Sequence, residues 1–91
     1  MTLLMDTNLL TVRILSPKGL IYKGLAKSVS SANLKGKFDI LPFHSNFITF
    51  LEKRPVKIIE ADGKIRDFNF QFAILFNASN KVNIYTEIQT K

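Results

Sequence analysis

His44 is the single histidine of the chain and is followed at once by Ser45. An imidazole beside a hydroxyl is the smallest kit for activating a nucleophile, but that chemistry also needs a carboxylate to orient the ring and a turn that presents the hydroxyl. No nucleophile-elbow glycine pattern surrounds Ser16, Ser28, Ser30, Ser31, Ser45 or Ser79. Cysteine is absent, and the seven acids show no H-E-x-x-H or D-x-D spacing, so neither a thiolate site nor a His–carboxylate metal site is expected. The four glycines, Gly19, Gly24, Gly36 and Gly63, stand apart and none opens a helix, which leaves no phosphate-cradling loop. The simplest expectation is no catalysis, no cofactor and no metal, with His44 and Ser45 bonding locally in a polar loop.

Two features point to binding. Thirteen basic residues against seven acidic give a formal charge of +6, suited to nucleic acid, anionic lipid or an acidic protein surface. The cations are spread over turns and alternate strand positions, including Lys18, Lys35, Lys53, Arg54, Lys57 and Lys81, as solvated edge lysines usually are. The second feature is Phe68-x-Phe70-x-Phe72, continuing into Ile74. Exposed, those rings would stack bases as barrel-type single-strand binders do; buried, they are one face of a core. Burial is the expectation, because a small soluble domain rarely exposes such a patch without a partner.

The elements that position these residues repeat every two residues, not every 3.6. Leu10, Val12 and Ile14 alternate with Thr11 and Arg13, so residues 9–16 read as a strand, and Ser16-Pro17-Lys18-Gly19 as the turn after it. Leu20 to Lys23 runs back until Gly24 breaks it; Leu25 to Leu34 and Phe38 to Leu41 read as further strands, the latter ended by Pro42. Phe47 to Leu51 is a strand closed by Lys53-Arg54-Pro55. Val56 and Ile58 then open a hairpin whose Asp62-Gly63 supplies a positive-φ pair and whose return strand carries Arg66 to Ile74. Asn77 to Asn80 is a turn, and a last strand runs from Val82 to near Ile88. No ten-residue helical stripe interrupts this pattern, which predicts an all-β, antiparallel sandwich of about eight to ten short strands. Val12, Ile14, Phe68, Phe70, Ile74, Val82 and Ile84 are expected to share its core. Residues 1–91 suit a single domain. Met1 to Leu10 lacks the basic and apolar blocks of a secretory signal, and no run approaches the roughly 20 apolar residues of a spanning helix.

One segment is recognisable. Gly36-Lys37-Phe38-Asp39-Ile40-Leu41-Pro42-Phe43-His44-Ser45-Asn46-Phe47-Ile48-Thr49-Phe50-Leu51 resembles the G-E-x-G-I-x-P-G-H-x-P-x-x-T-x-L signature of F-type ATP synthase epsilon subunits. Val12 to Leu25 is similar to that family's opening block, Val56 to Phe68 to its central hairpin, and Val82 to Glu87 to its closing strand. The chain departs from the pattern where family members usually carry Gly (Asp39, Phe43), an acid (Lys37), Pro (Asn46) and a Ser-Gly-Gly run (around Phe72-Ala73).

The resemblance implies a non-catalytic central-stalk subunit, bridging the gamma subunit and the c-ring so that proton or sodium flux drives ATP synthesis. It implies that Ser16, His44, Ser45 and Thr49 face gamma and that Gly36 and Lys37 face the polar loops of the c-ring. No nucleic acid is expected, and the membrane is reached only through the complex, on the cytoplasmic face of an inner or plasma membrane. The family's C-terminal two-helix hairpin is missing here, so coupling without inhibition of hydrolysis is expected. The alternative is a freestanding basic β-module that binds nucleic acid or an acidic protein.

Overall fold

The computed structural model describes residues 8–87. Eight strands follow one another: β1 Leu10–Ser16, β2 Gly19–Asn33, β3 Gly36–Ile40, β4 Phe47–Glu52, β5 Pro55–Glu60, β6 Ile65–Asn69, β7 Phe72–Ala78 and β8 Lys81–Thr86. They form one sheet in the order β4-β7-β8-β1-β2-β5-β6, with β3 also on β2. The sheet curls so that β3, the far half of β2, β5 and β6 lie over β4, β7, β8 and β1. Contacts across the fold confirm the closure: Phe38 of β3 meets Phe47 of β4 edge to face at 5.2 Å, and Asn33 of β2 bonds Thr49 of β4.

The alternation read from β1 and β8 holds. Val12 opposes Val82 and Ile14 opposes Ile84, all four fully buried. That pairing is parallel, which corrects the purely antiparallel expectation: the sheet is mixed. The β7–β8 hairpin sets the direction of β8, and β1 joins it from the far end of the chain. Two-residue periodicity is the same for either direction, so it carries no information on this point.

Four further expectations are corrected. Gly24 does not end a strand; β2 runs fifteen residues through it. A Cβ at Gly24 would lie 2.7 Å from the Tyr22 hydroxyl, so the glycine makes room for that ring. The register of β2 against β5 slips between Ala26 and Ser28, a bulge that changes which face points inward. Before it Ala26 is buried, after it Val29, and the bend carries β2 from one layer to the other.

The hairpin after β5 is also not a two-residue positive-φ turn. Only Gly63 has positive φ (93°), with its N–H donating to the Glu60 carbonyl and the Glu60 N–H to the Lys64 carbonyl. This is a type I turn closed by a left-handed glycine. The turn between β7 and β8 is shorter than expected: Asn77 and Ala78 belong to β7, and Ser79 and Asn80 alone take positive φ. Ile88, expected near the end of the last strand, lies outside the described residues.

The largest correction concerns the phenylalanine stripe. Phe70 is 2 % exposed and Phe68 packs against the core, but Ile74 is 37 % exposed and Phe72 points outward with it. The chain bends at Gln71, whose carbonyl accepts from the Lys53 N–H, and β7 starts with its parity reversed. Ala73 and Leu75 of β7 enter the core, while Phe72, Ile74 and Phe76 face solvent.

Candidate functional site

Outward-facing residues of β4, β7 and β8 form one apolar surface. Ile48 and Phe50 of β4 stand beside Phe76 and Ile74 of β7, and Ile74 stands beside Tyr85 of β8. The rings lock this surface together: Phe50 meets Phe72 at 5.5 Å, and Phe76 meets Tyr85 edge to face at 5.6 Å. Phe50 is 55 % exposed and Ile48 62 %. A shallow hollow of about 280 Å³ between Phe50, Phe72, Ile74, Tyr85 and Glu87 dents the surface. Leu34, at the tip of the β2–β3 turn, is fully exposed beside Ile48 and Phe50 and extends it. Towards β1 the surface turns polar, where Arg13 Nε donates to Asn83 Oδ1 at 2.9 Å. An apolar core with a polar rim is the anatomy of a protein-binding surface.

Sequence reasoning missed this face. Residues 72–76, Phe-Ala-Ile-Leu-Phe, are apolar at both parities. A strand covered on one side alternates, whereas one apolar on both sides is covered on both, so this run was the available signal.

The predicted site residues fall in separate places. The Ser16 hydroxyl accepts from the Lys18 N–H and donates to the Gly19 carbonyl, locking the β1–β2 turn. The Leu15–Tyr85 pairing puts that turn beyond the Tyr85 end of the apolar face. His44 and Ser45 lie beyond the Phe76 end: buried Asn77 donates to the Ser45 carbonyl at 3.0 Å and to the His44 carbonyl at 3.4 Å. The His44 ring takes the local role expected of it, with Nδ1 2.8 Å from the Ser45 carbonyl and its edge against Phe47. Among the described residues no carboxylate bonds it, and no group of three potential ligands that could hold a metal occurs. Thr49 points the other way from Ile48 and Phe50, and its hydroxyl accepts from Asn33 Nδ2 at 2.9 Å. Asn33 pairs with Gly36, so Thr49 sits by the Gly36–Lys37 hairpin rather than with Ser16 or His44. The fold thus joins His44 to Ser45 and Thr49 to the Gly36 hairpin, and leaves Ser16 at the opposite end of β1.

The loop after β3 holds one conformation that the sequence makes costly. Phe43 has φ 70° and is 72 % exposed. Its N–H donates to the Asn80 side chain at 2.6 Å, tying the loop to the β7–β8 turn. A non-glycine residue in this region costs roughly 1–2 kcal/mol, and here the ring itself is in solvent.

The outward residues of the second layer, Ser30, Ala32, Lys37, Asp39 and Lys57, are small or polar, while Tyr22, Glu60 and Arg66 meet on the inward side at the edge of the sandwich. Tyr22 of β2 donates to Glu60 of β5 at 2.6 Å, and Arg66 Nε of β6 reaches the same carboxylate oxygen at 3.1 Å. Burial, then the hydrogen bond to Glu60, pushes the Tyr22 phenol up to about 12. Ser30 donates to Asp39, and Ser31 to the Pro55 carbonyl.

Among the described residues no helix is long and apolar enough to cross a membrane. Residues 9–90 match the family described as ATP synthase, Delta/Epsilon chain, beta-sandwich domain. The chain is 32 % identical over 78 residues to the ATP synthase epsilon chain of Sulfurimonas denitrificans, covering 86 % of this chain and 60 % of the relative. It is 38 % identical over 60 residues to that of a Nitratiruptor species, covering 66 % of this chain and 45 % of the relative. The chain therefore spans between 45 % and 60 % of the length of these curated relatives. Among solved structures, a chain of the Euglena gracilis mitochondrial ATP synthase superposes with TM-score 0.81 at 13 % identity, covering 91 % of this chain and 53 % of that one. A chain of the Tetrahymena thermophila mitochondrial ATP synthase central stalk/c-ring structure gives 0.71 at 16 %, covering 90 % and 66 %. Those two likenesses show the fold. Together with the family match over residues 9–90, the sequence relatives place the chain in a family: it belongs to the ATP synthase delta/epsilon chain beta-sandwich domain family.

Proposed function

We propose that this chain is one β-sandwich domain acting as a non-catalytic central-stalk subunit of epsilon type. It bridges the gamma subunit and the c-ring of a rotary ATP synthase, so that ion flux through the ring is transmitted to ATP synthesis. It is peripheral, held on the cytoplasmic face of the membrane by its partners. The observation that carries this reading is the outward face of β4, β7 and β8. In a family of stalk subunits, an exposed aromatic face on a chain of charge +6 is explained by a partner that covers it. Gamma is the partner assigned to that face, with His44 and Ser45 at one rim and Ser16 at the other. Gly36, Lys37 and the neighbouring Thr49 form the end assigned to the c-ring. Radius of gyration is 12.8 Å, the size of a compact connector rather than of an arm.

The test is co-expression with the gamma subunit and c-ring of the same synthase. The expected outcome is stable co-purification at ordinary salt, lost when Phe50 and Phe76 are both replaced by Asp while the melting temperature changes little. A wild-type chain that does not co-purify, yet binds oligonucleotides in a salt-sensitive manner, would replace this reading with the freestanding basic module.

A further inference from the structure

On the opposite layer, β2 runs between β3 and β5, and its small outward residues Ser30 and Ala32 floor a groove of about 470 Å³. Lys37 and Phe38 wall it on the β3 side, Pro55 and Lys57 on the β5 side, and Arg54 closes one end. Lys37, Arg54 and Lys57 form no ion pair among the described residues, although Asp67 stands opposite Lys57 on β6. The acid within the groove is Asp39, whose carboxylate accepts from Ser30. Lys35 and Lys53 flank the same end of the molecule.

We propose that this groove takes an acidic peptide segment: an Asp- or Glu-bearing loop of the partner that the Gly36–Lys37 end faces. The proposal rests on the stalk reading and adds the chemistry of the contact. Lys37 and Arg54 supply charge-assisted donors for carboxylates, with the Arg54 guanidinium able to take one in bidentate fashion. Asp39 calls for a donor, and a peptide backbone offers N–H groups alongside its acidic side chains. A polyphosphate backbone offers acceptors only and would be repelled by Asp39. At Ser30 both sides of β2 are paired, with Asp39 of β3 and Lys57 of β5, so the segment is held there by side chains rather than by strand addition.

The experiment has two arms. In the first, amide shifts of the full chain are followed by NMR as a short Asp- and Glu-rich peptide is added, beside a Lys-rich peptide, vesicles rich in anionic phospholipid, and a single-stranded oligonucleotide. The acidic peptide is expected to shift Ser30, Ala32, Lys37 and Lys57. Lys37→Glu combined with Arg54→Glu should weaken that binding by about tenfold or more. In the second arm, the same variant and the wild type are bound to the gamma–c-ring assembly across a salt series. The wild type should weaken as salt rises, and the variant should bind less tightly with a flatter salt dependence. Equal binding of variant and wild type with the same salt dependence overturns the groove while leaving the stalk reading intact. Shifts from the acidic peptide without assembly binding keep the groove and remove the stalk. Stronger shifts from vesicles or oligonucleotide than from the peptide overturn the proposed ligand class.

Discussion

The two layers of this sandwich share one core yet treat their outer surfaces oppositely. On β4, β7 and β8 the outward residues are Ile48, Phe50, Phe72, Ile74, Phe76 and Tyr85, held by ring-on-ring contacts and left against water. On β2, β3 and β5 the outward residues are small or polar, Ser30, Ala32, Lys37, Asp39 and Lys57, with Ser30 donating to Asp39. The polar face is well solvated and offers charges to a partner; the aromatic one gains free energy when its apolar area is covered. A stable fold needs the inward faces alone, so the contrast between the outward faces reports binding rather than folding.

Neighbouring residues on β7 give the sharpest test. Leu75 is fully buried and Phe76 beside it faces out, so Leu75→Ala should cost about 3 kcal/mol by denaturant titration and Phe76→Ala about 1 kcal/mol or less. Equal losses would mean that the aromatic face is core after all, and the comparison would break. On the inward side of β2, Gly24→Ala should cost about 1–2 kcal/mol, since the new Cβ meets the Tyr22 hydroxyl and pulls it off Glu60. Adding Tyr22→Phe removes the crowding atom, so the double variant should lose less than the sum; strict additivity would refute that account.

A smaller effect of opposite sign is expected at Phe43. Its exposed ring gives the fold little, while its φ of 70° suits glycine, so Phe43→Gly should stabilise by about 0.5 kcal/mol after the entropy of glycine is subtracted. A melting temperature that falls instead would show the ring packing within the chain. The smallest change is in alkaline stability. The Tyr22 pKa stands above its ordinary value of 10.0, at about 12, so the folded state binds that proton more tightly than the unfolded one. The contribution is fully present below pH 10 and lost as pH climbs through 12. Tyr22→Phe should flatten the melting temperature across that window, and an unchanged slope would assign the loss to other groups.

The mixed behaviour of the sequence has a physical cause that particular residues show. Val12, Ile14, Val82 and Ile84 were legible as core because each strand alternates without interruption, and an alternating strand exposes one face and buries the other whatever it pairs with. The loop signature around His44, and with it the family, was legible because local order and residue type carry it. The direction in which β8 lies on β1 was not, since Thr11 and Lys81 meet across almost the whole chain and period two is blind to direction. Nor was the outward turn of Phe72 and Ile74: one residue outside the strands, Gln71, reverses parity, and that bend follows from β6 and β7 belonging to different layers. The sequence by itself determined most of the strands, part of the core and the kinship. The tertiary structure alone decided which apolar residues were left for a partner, because facing in or out depends on where the chain crosses between layers.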